Sequence, residues 1–252
     1  MKINLYSISS KDHPVYDTIG ERFDVEIFNL EDWPSRVEAD GVKNLIVADN
    51  YLRIREFFRV PEEPGYDDIP RAWLWNDEFT EERGRDIAAR YLAEPFVAFV
   101  KHRDKRVLAG GVLGSETFVD PLLYSLADSD ETFYLAPVEY PAAEIRVWVI
   151  DGQIARFAKY QQSEDFNSQN NAVLLTRAIF ELKRFGLIDW EEKHGRTYSF
   201  DVAVDSAGVP SILEIHHPHC VGDYGGYAFD LVAWLEASTR WLLSHPWVHK
   251  PR

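Results

Sequence analysis

The chain has 252 residues, of which 46% are hydrophobic, with a single cysteine and a formal net charge of −15. This composition supports one or two folded domains, and it excludes intrinsic disorder, a disulfide framework and a cysteine-rich zinc module. The acidity argues against sequence-independent binding to nucleic acid, which needs clustered lysine and arginine. Because no apolar run has the length of a signal peptide or a membrane span, we expect a cytoplasmic protein with no nucleic-acid or membrane partner.

The N-terminal part predicts a small α/β unit followed by a linker. Alternating apolar residues indicate strands over 2–8, 24–28 and 44–48. Residues 60–70 are rich in proline and acidic residues, which is typical of a loop or a segment between domains. A helix is then predicted from Thr80 to Ala93, because two glutamates follow Thr80 and a proline follows the helix.

From residue 96 the pattern predicts antiparallel hairpins and two longer helices. The dipeptide Asp151-Gly152 is a strong hairpin signal between strands over 144–150 and 153–160. A second hairpin joins strands over 198–204 and 211–215. The other expected elements are strands over 96–101 and 106–113, a short apolar segment over 134–138, and helices over 173–185 and 228–243.

The first hairpin carries charged residues at alternate positions. Strict alternation puts Glu144, Arg146 and Trp148 on one face of their strand. On the return strand it gives Ile154, Arg156 and Ala158 a common face. A face with these charges is either a polar cleft or a solvated surface with cross-strand ion pairs, and spacing alone favours the solvated surface.

The second hairpin has one carboxylate on each strand, Asp201 and Glu214, each among apolar residues. Burying an ionised carboxylate without a partner is costly, and two facing carboxylates repel unless a cation lies between them. A hard divalent cation such as Mg²⁺ meets that need, with water and substrate phosphates as its other ligands. The alternative is an edge hairpin with both acids in water, and the spacing does not decide between them.

The chain after the second hairpin concentrates metal-binding residue types, namely His216, His217, His219 and Cys220. A zinc site is one interpretation, but adjacent residues on an extended chain point in opposite directions, so the spacing is poor. We interpret Cys220 as structural or incidental. The glycine-bearing segment 221–226 is able to approach a ligand closely. Earlier in the chain, a lysine at the end of the strand over 96–101 can reach either water or a phosphate.

The order of these elements resembles the ATP-grasp superfamily over residues 95–240. The strand that ends at Lys101 is similar to the superfamily's lysine-bearing strand, and segment 134–139 is similar to the hinge that contacts adenine. Residues 144–154 resemble its arginine-bearing hairpin, and residues 201–216 resemble its metal-binding hairpin. No single motif is diagnostic, so the resemblance depends on finding all four in this order.

The resemblance implies a fold class of α+β or α/β. The expected architecture is a two-lobed ATP-grasp fold of antiparallel sheets with helices, preceded by a small α/β domain similar to a pre-ATP-grasp domain. The domains are expected at 1–93 and 94–252, with the hinge between the two lobes near 135–140.

The resemblance also implies roles for individual residues. Lys101 would hold the α- or β-phosphate of ATP, and Arg146 would stabilise the transferring phosphoryl group with help from Arg156. The remaining nucleotide-binding residues would be Leu135, Ala136, Pro137, Val138, Glu139 and Glu144. The ligands of Mg²⁺ or Mn²⁺ would be Asp201, Glu214 and His216.

The implied activity is ATP-dependent ligation of a carboxylate and an amine, through an acyl phosphate, on a small molecule, amino acid or peptide end. Alternatives on the same scaffold are phosphate transfer to a non-carboxylate acceptor, and nucleotide or partner binding without turnover. Asparagine is the superfamily's usual third metal ligand, whereas this chain has His216, and imidazole favours Mn²⁺ or Zn²⁺ over Mg²⁺. Replacing Asp201 or Glu214 by alanine is expected to abolish metal-dependent ATP binding and to leave the fold largely intact.

Overall fold

A computed structural model describes the protein over residues 2–7, 14–34, 36–39, 41–47, 51–60, 68–103, 110–114, 119–162, 172–218 and 231–244. Three four-stranded sheets form the framework of these residues, and helices pack on their faces. None of the described helices is long and apolar enough to cross a membrane.

The first sheet confirms the predicted N-terminal α/β unit and has three parallel strands. In spatial order its strands are β2 (Asp24–Asn29), β1 (Lys2–Ser7), β4 (Val42–Ile46) and the antiparallel β3 (Glu38–Ala39). Alternation along β1 sends Ile3 and Leu5 to one face and Tyr6 to the other. The helices α1 (Pro14–Gly20) and α2 (Tyr51–Phe58) therefore pack on opposite faces of this sheet.

The last helix, α7 (Leu231–Ser244), returns to this N-terminal sheet. Val232 packs on the face of α1, and Trp241 packs on the face of α2. The backbone N–H of Ile46 donates a hydrogen bond of 3.0 Å to Oγ1 of Thr239, which fixes the helix against β4. Helix α7 is therefore packed against the expected first domain.

The second sheet carries Lys101. In spatial order its strands are β5 (Thr80–Arg83), β8 (Thr132–Ala136), β6 (Ala98–His102) and β7 (Gly111–Leu113), all antiparallel. Helices α3 (Gly84–Ala93) and α4 (Val119–Ala127) cover the face that contains Val100. Lys101 lies on the opposite face, across from Tyr134 of β8.

Segment 80–93 differs from its prediction as a single helix. Thr80–Arg83 is the strand β5, and the helix begins only at Gly84. β5 is a short, mostly exposed edge strand, so it shows none of the apolar alternation that would identify a strand. Because β5 pairs with β8, residues 80–93 belong to the sheet of Lys101, and a domain boundary at residue 93 divides this sheet.

The third sheet carries the other predicted site residues. In spatial order its strands are β10 (Gln153–Gln162), β9 (Ala143–Ile150), β11 (Tyr198–Val204) and β12 (Pro210–His216), all antiparallel. Val147, Phe200 and Ile215 point to one face, where they form the main hydrophobic core. The helices that cover this face are α5 (Ala172–Glu181) and α6 (Ile188–His194), which are joined by a π-helical turn over Leu182–Gly186.

The turn between β9 and β10 is the predicted Asp151-Gly152 hairpin. Both residues have positive φ, +48° and +82°, as a two-residue turn requires when it matches the twist of the strands. The local sequence therefore fixes the register at this end of the third sheet.

Candidate active site

A β-bulge between β11 and β12 decides which residues share the polar face of the third sheet. Asp201 lies opposite Glu214, whereas Val202 lies opposite Ile212, so Leu213 is an extra residue on β12. Strict alternation would give Ile212 and Glu214 the same face. The bulge instead sends Ile212 into the core and lets Glu214 meet Asp201 on the other face.

A second bulge lies between β9 and β10, with Ala155 as the extra residue. Ile154 lies opposite Val149 and packs against the core, whereas Arg156 lies opposite Trp148. The prediction that Ile154 and Arg156 share a face is therefore wrong. The polar face carries Arg156 together with three residues of β9, namely Glu144, Arg146 and Trp148.

The centre of the polar face is a buried ion pair. Arg146 donates two hydrogen bonds to Asp201, from Nε to Oδ1 at 2.7 Å and from Nη2 to Oδ2 at 2.6 Å. Arg146 is 4% exposed and Asp201 is 2% exposed, so the centre of this face is shielded from solvent, as a polar cleft requires, and is not a solvated surface. Burial opposes ionisation of Asp201, but hydrogen bonds from Arg146 and His216 outweigh it and hold the pKa of Asp201 well below its usual range.

His216 and Glu214 complete this cluster. Nε2 of His216 lies 3.2 Å from Oδ2 of Asp201 and 3.4 Å from Oε2 of Glu214. One ligand atom from each of the three residues lies within 4.8 Å of the other two. Two carboxylate oxygens and one imidazole nitrogen form a donor set that fits a divalent cation. The structure therefore brings the three predicted metal ligands together, and their role as ligands stays a prediction.

Lys101 reaches the same cluster from the second sheet. Its Nζ forms an ion pair with Oε1 of Glu214. Lys101 is 8% exposed, and the side chain of Glu214 is 25% exposed. The contact joins β6 to β12, so the predicted phosphate-binding lysine and a predicted metal ligand meet where the two sheets meet.

Segment 135–139, expected to contact adenine, covers the end of β8 and the connection to β9. Leu135 packs with Val100 on the face covered by helices, whereas Ala136 lies on the face of Lys101. Adenine contact through the backbone of this segment stays a prediction. The other members of the segment are Pro137 and Glu139, which are exposed, and Val138, which is half-buried.

The two described histidines that follow Glu214, His216 and His217, point to different parts of the molecule. His216 lies in the cleft with Asp201, whereas the ring of His217 packs against Trp241 and Trp190, at centroid distances of 4.8 Å and 5.6 Å. This separation argues against a zinc site that uses both residues. The remaining members of the proposed set lie outside the described residues, namely His219, Cys220 and segment 221–226.

Ser199 is a buried residue of the polar face that the sequence analysis did not single out. It lies opposite both His216 and Trp148, and within the described part of the chain its Oγ has no hydrogen-bond partner. The sequence indicates this position, because Ser199 precedes Asp201 by two residues on the same strand and alternation puts both on one face.

Comparison with known proteins identifies the family. The family described as the ATP-grasp domain, R2K clade family 3, matches residues 34–235. The chain belongs to this ATP-grasp family. The match confirms the predicted superfamily and, at the level of the superfamily, the predicted class of ATP-grasp ligases. No curated protein matches the chain by sequence.

The solved structures that are similar to this ATP-grasp protein in fold include DcsG and PurK. The crystal structure of D-cycloserine synthetase DcsG has a TM-score of 0.51 and 14% identity, and the match covers 96% of this chain and 99% of that one. The ADP complex of PurK, N5-carboxyaminoimidazole ribonucleotide synthetase, has a TM-score of 0.51 and 11% identity, over 100% of this chain and 78% of that one. At these identities the likeness shows the fold alone, and it confirms the predicted ATP-grasp architecture of antiparallel sheets with helices.

Proposed function

We propose that this ATP-grasp protein is a carboxylate–amine ligase that forms an amide through an acyl phosphate. The observation that carries the proposal is a buried cluster of two cations, two carboxylates and an imidazole, assembled from two sheets. Phosphoryl transfer needs positioning and charge neutralisation more than an acid–base pair, and this cluster is suited to both. Its members are Lys101, Arg146, Asp201, Glu214 and His216.

In the proposed reaction, an oxygen of the substrate carboxylate attacks the γ-phosphorus of ATP, and ADP leaves with the bonding electron pair. The amine nitrogen then attacks the acyl carbon, inorganic phosphate leaves, and the nitrogen loses a proton to give the amide. Lys101 would hold an α- or β-phosphate oxygen as a point charge. Arg146 would stabilise the charge on the transferring phosphoryl group, with Arg156 on the same face of the sheet.

Asp201, Glu214 and His216 would hold Mg²⁺ or Mn²⁺. When bound, the ion would neutralise phosphate charge and orient the reacting oxygens. The acid would be a small molecule, an amino acid or a peptide end. We also propose that the reaction takes place in the cytoplasm, because an acidic composition with a single cysteine is typical of proteins in that compartment.

A hydroxylamine trap tests the proposal without knowledge of the natural amine. The protein is incubated with ATP, Mg²⁺ or Mn²⁺, hydroxylamine and a panel of amino acids, dicarboxylates and peptides. An acyl phosphate is expected to give a hydroxamate, read as its coloured iron complex, in equal amount to the ADP released.

Two other outcomes distinguish the alternatives. ADP release with a phosphorylated acceptor and no hydroxamate would favour the phosphotransferase. Nucleotide binding with no ADP release for any acid would favour a protein that binds without turnover.

A further inference from the structure

Both carboxylates of the candidate metal cluster are already paired with cations. Asp201 accepts two hydrogen bonds from Arg146, and Glu214 forms an ion pair with Lys101. The formal charges of these four groups cancel. A divalent cation that enters beside His216 therefore meets two positive side chains in direct contact with its own ligands, and these oppose its binding.

The two ion pairs differ in how easily they exchange partners. Arg146 and Asp201 are cross-strand neighbours on β9 and β11, almost fully buried, and joined by two hydrogen bonds. Lys101 and Glu214 come from different sheets, and the Glu214 side chain keeps 25% of its surface exposed. A lysine ammonium is a point charge on a flexible stem, whereas the arginine fork is planar and directional. The Lys101–Glu214 pair is therefore the one suited to exchange.

We propose that Lys101 is the counter-ion of Glu214 in the nucleotide-free protein, and that nucleotide phosphates draw it away, so that metal ion and nucleotide bind with positive coupling. The inference rests on the proposed function for its nucleotide. When the ammonium moves from Glu214 to a phosphate, it leaves a carboxylate beside Asp201 and His216 for the metal. Such coupling is reciprocal. If the nucleotide raises the affinity for the metal by a certain factor, the metal raises the affinity for the nucleotide by the same factor.

This role gives Lys101 opposite effects on the two ligands. It opposes binding of the metal alone, and it favours binding of the nucleotide. Replacing a lysine that served only as a phosphate ligand, without contact to Glu214, would change the affinity for the metal alone far less. The metal titration in the absence of nucleotide therefore separates the two roles.

The test measures Mn²⁺ binding to the full chain from the electron paramagnetic resonance signal of free Mn²⁺, with and without ADP. A titration without protein corrects for the Mn²⁺–ADP complex that forms in solution. In the wild type, ADP is expected to raise the Mn²⁺ affinity by about ten-fold or more. Lys101→Met and Lys101→Gln are both expected to bind Mn²⁺ alone about ten-fold more tightly than the wild type and to bind ADP more weakly. Their coupling is expected to be smaller than in the wild type, and to keep only the part that comes from contact between metal and phosphate. Using two variants keeps the test valid if one does not fold.

Lys43→Met is the matched control. It removes another partly buried ion pair, with Glu236, between β4 and α7 and outside the cluster, and it is expected to bind Mn²⁺ as the wild type does. Folded Lys101 variants that bind Mn²⁺ alone no more tightly than the wild type would overturn the counter-ion role, even if the wild type binds nucleotide. A wild type that binds Mn²⁺ but no nucleotide would instead overturn the proposed function, and the coupling with it.

Discussion

The two faces of the third sheet use the same four strands for different purposes. On one face Val147 and Phe200 are fully buried against α5 and α6 and form the main core. On the other face their immediate neighbours Arg146 and Asp201 form the centre of the cleft. The period of two along β9 and β11 therefore places Arg146 and Asp201 each between two core residues, which fixes their position.

The central groups of the polar face are as buried as the residues of the core. Arg146, Asp201 and His216 are each less than 5% exposed. A buried pair becomes costly when one partner is removed, so substitutions here change stability as well as binding. The predictions below test how far the two faces differ, from the largest expected effect to the smallest.

The largest effect is expected on the core face. Phe200→Ala removes a fully buried ring and leaves a cavity against α5 and α6, so the free energy of unfolding should fall by about 3–5 kcal/mol. Urea denaturation measures this change. A loss below about 1 kcal/mol would mean that this face does not carry the main core.

Asp201→Ala should be almost as costly, although Asp201 lies on the polar face. It leaves the buried Arg146 guanidinium without its carboxylate, which should cost about 3 kcal/mol in the free energy of unfolding. The structure thus changes the sequence-based expectation that this variant keeps its fold. The double variant Arg146→Met with Asp201→Leu should recover most of the loss in the same denaturation experiment. A single variant as stable as the wild type would contradict the pair's importance.

Glu214→Gln should separate binding from stability. Glu214 is partly exposed, and the glutamine oxygen can still accept a hydrogen bond from the buried Lys101, so the unfolding free energy should fall by only about 1–2 kcal/mol, less than in Asp201→Ala. Loss of one carboxylate ligand should weaken metal-dependent ATP binding about ten-fold or more, as measured by calorimetry. Glu192→Gln, on the exposed side of α6, is the matched control and should bind as the wild type does.

Low pH is expected to lower the stability of the helical layer that covers the core face, because it protonates Asp68. This carboxylate pairs with Lys193 and with Nε2 of His194 at 2.7 Å, both on α6. Burial raises the pKa of Asp68, but the hydrogen bonds from Lys193 and His194 outweigh it, so its pKa lies below the ordinary 3.8.

The sign of this effect follows from linkage. A lowered pKa in the folded state means that Asp68 stabilises the protein above its unfolded pKa, and that the contribution disappears as the pH falls through the folded value. Asp68→Asn should therefore be less stable than the wild type at about pH 6, and it should lose less stability than the wild type between about pH 6 and about pH 3. Parallel pH profiles of the two proteins would contradict this role.

The smallest effect is expected at Ser199, next to Phe200 but on the polar face. Its hydroxyl has no hydrogen-bond partner within the described part of the chain, so Ser199→Ala removes a buried polar group without breaking a bond. The unfolding free energy should change by less than about 0.5 kcal/mol. A loss comparable to that of Phe200→Ala would remove the contrast between the two faces.

The sequence predicted the hairpins of the third sheet because their signals are local. The Asp151-Gly152 turn and the apolar alternation around Arg146 and Asp201 lie within a few residues of the structure that they produce. Ordered motifs singled out Lys101, Glu214 and His216 as well. The structure brings these residues together, and their roles stay predictions.

What the sequence did not predict depends on contacts between distant segments. The bulges at Ala155 and Leu213 are set by packing across strands, and no local signal marks them. The strand Thr80–Arg83 exists because it pairs with β8, about 50 residues further along the chain. The ion pair of Lys101 with Glu214 joins two sheets, so only the folded chain reveals that a predicted phosphate ligand also neutralises a predicted metal ligand.

Calorimetric titration of the folded protein with ATP, in the presence of Mg²⁺, of Mn²⁺ and of neither, tests the central claim most directly. If Asp201, Glu214 and His216 hold a metal ion beside the phosphates, ATP should bind tightly only when a divalent ion is present. Equal affinity with and without metal, or no binding under any of the three conditions, would contradict the assignment of this cleft as a metal–nucleotide site.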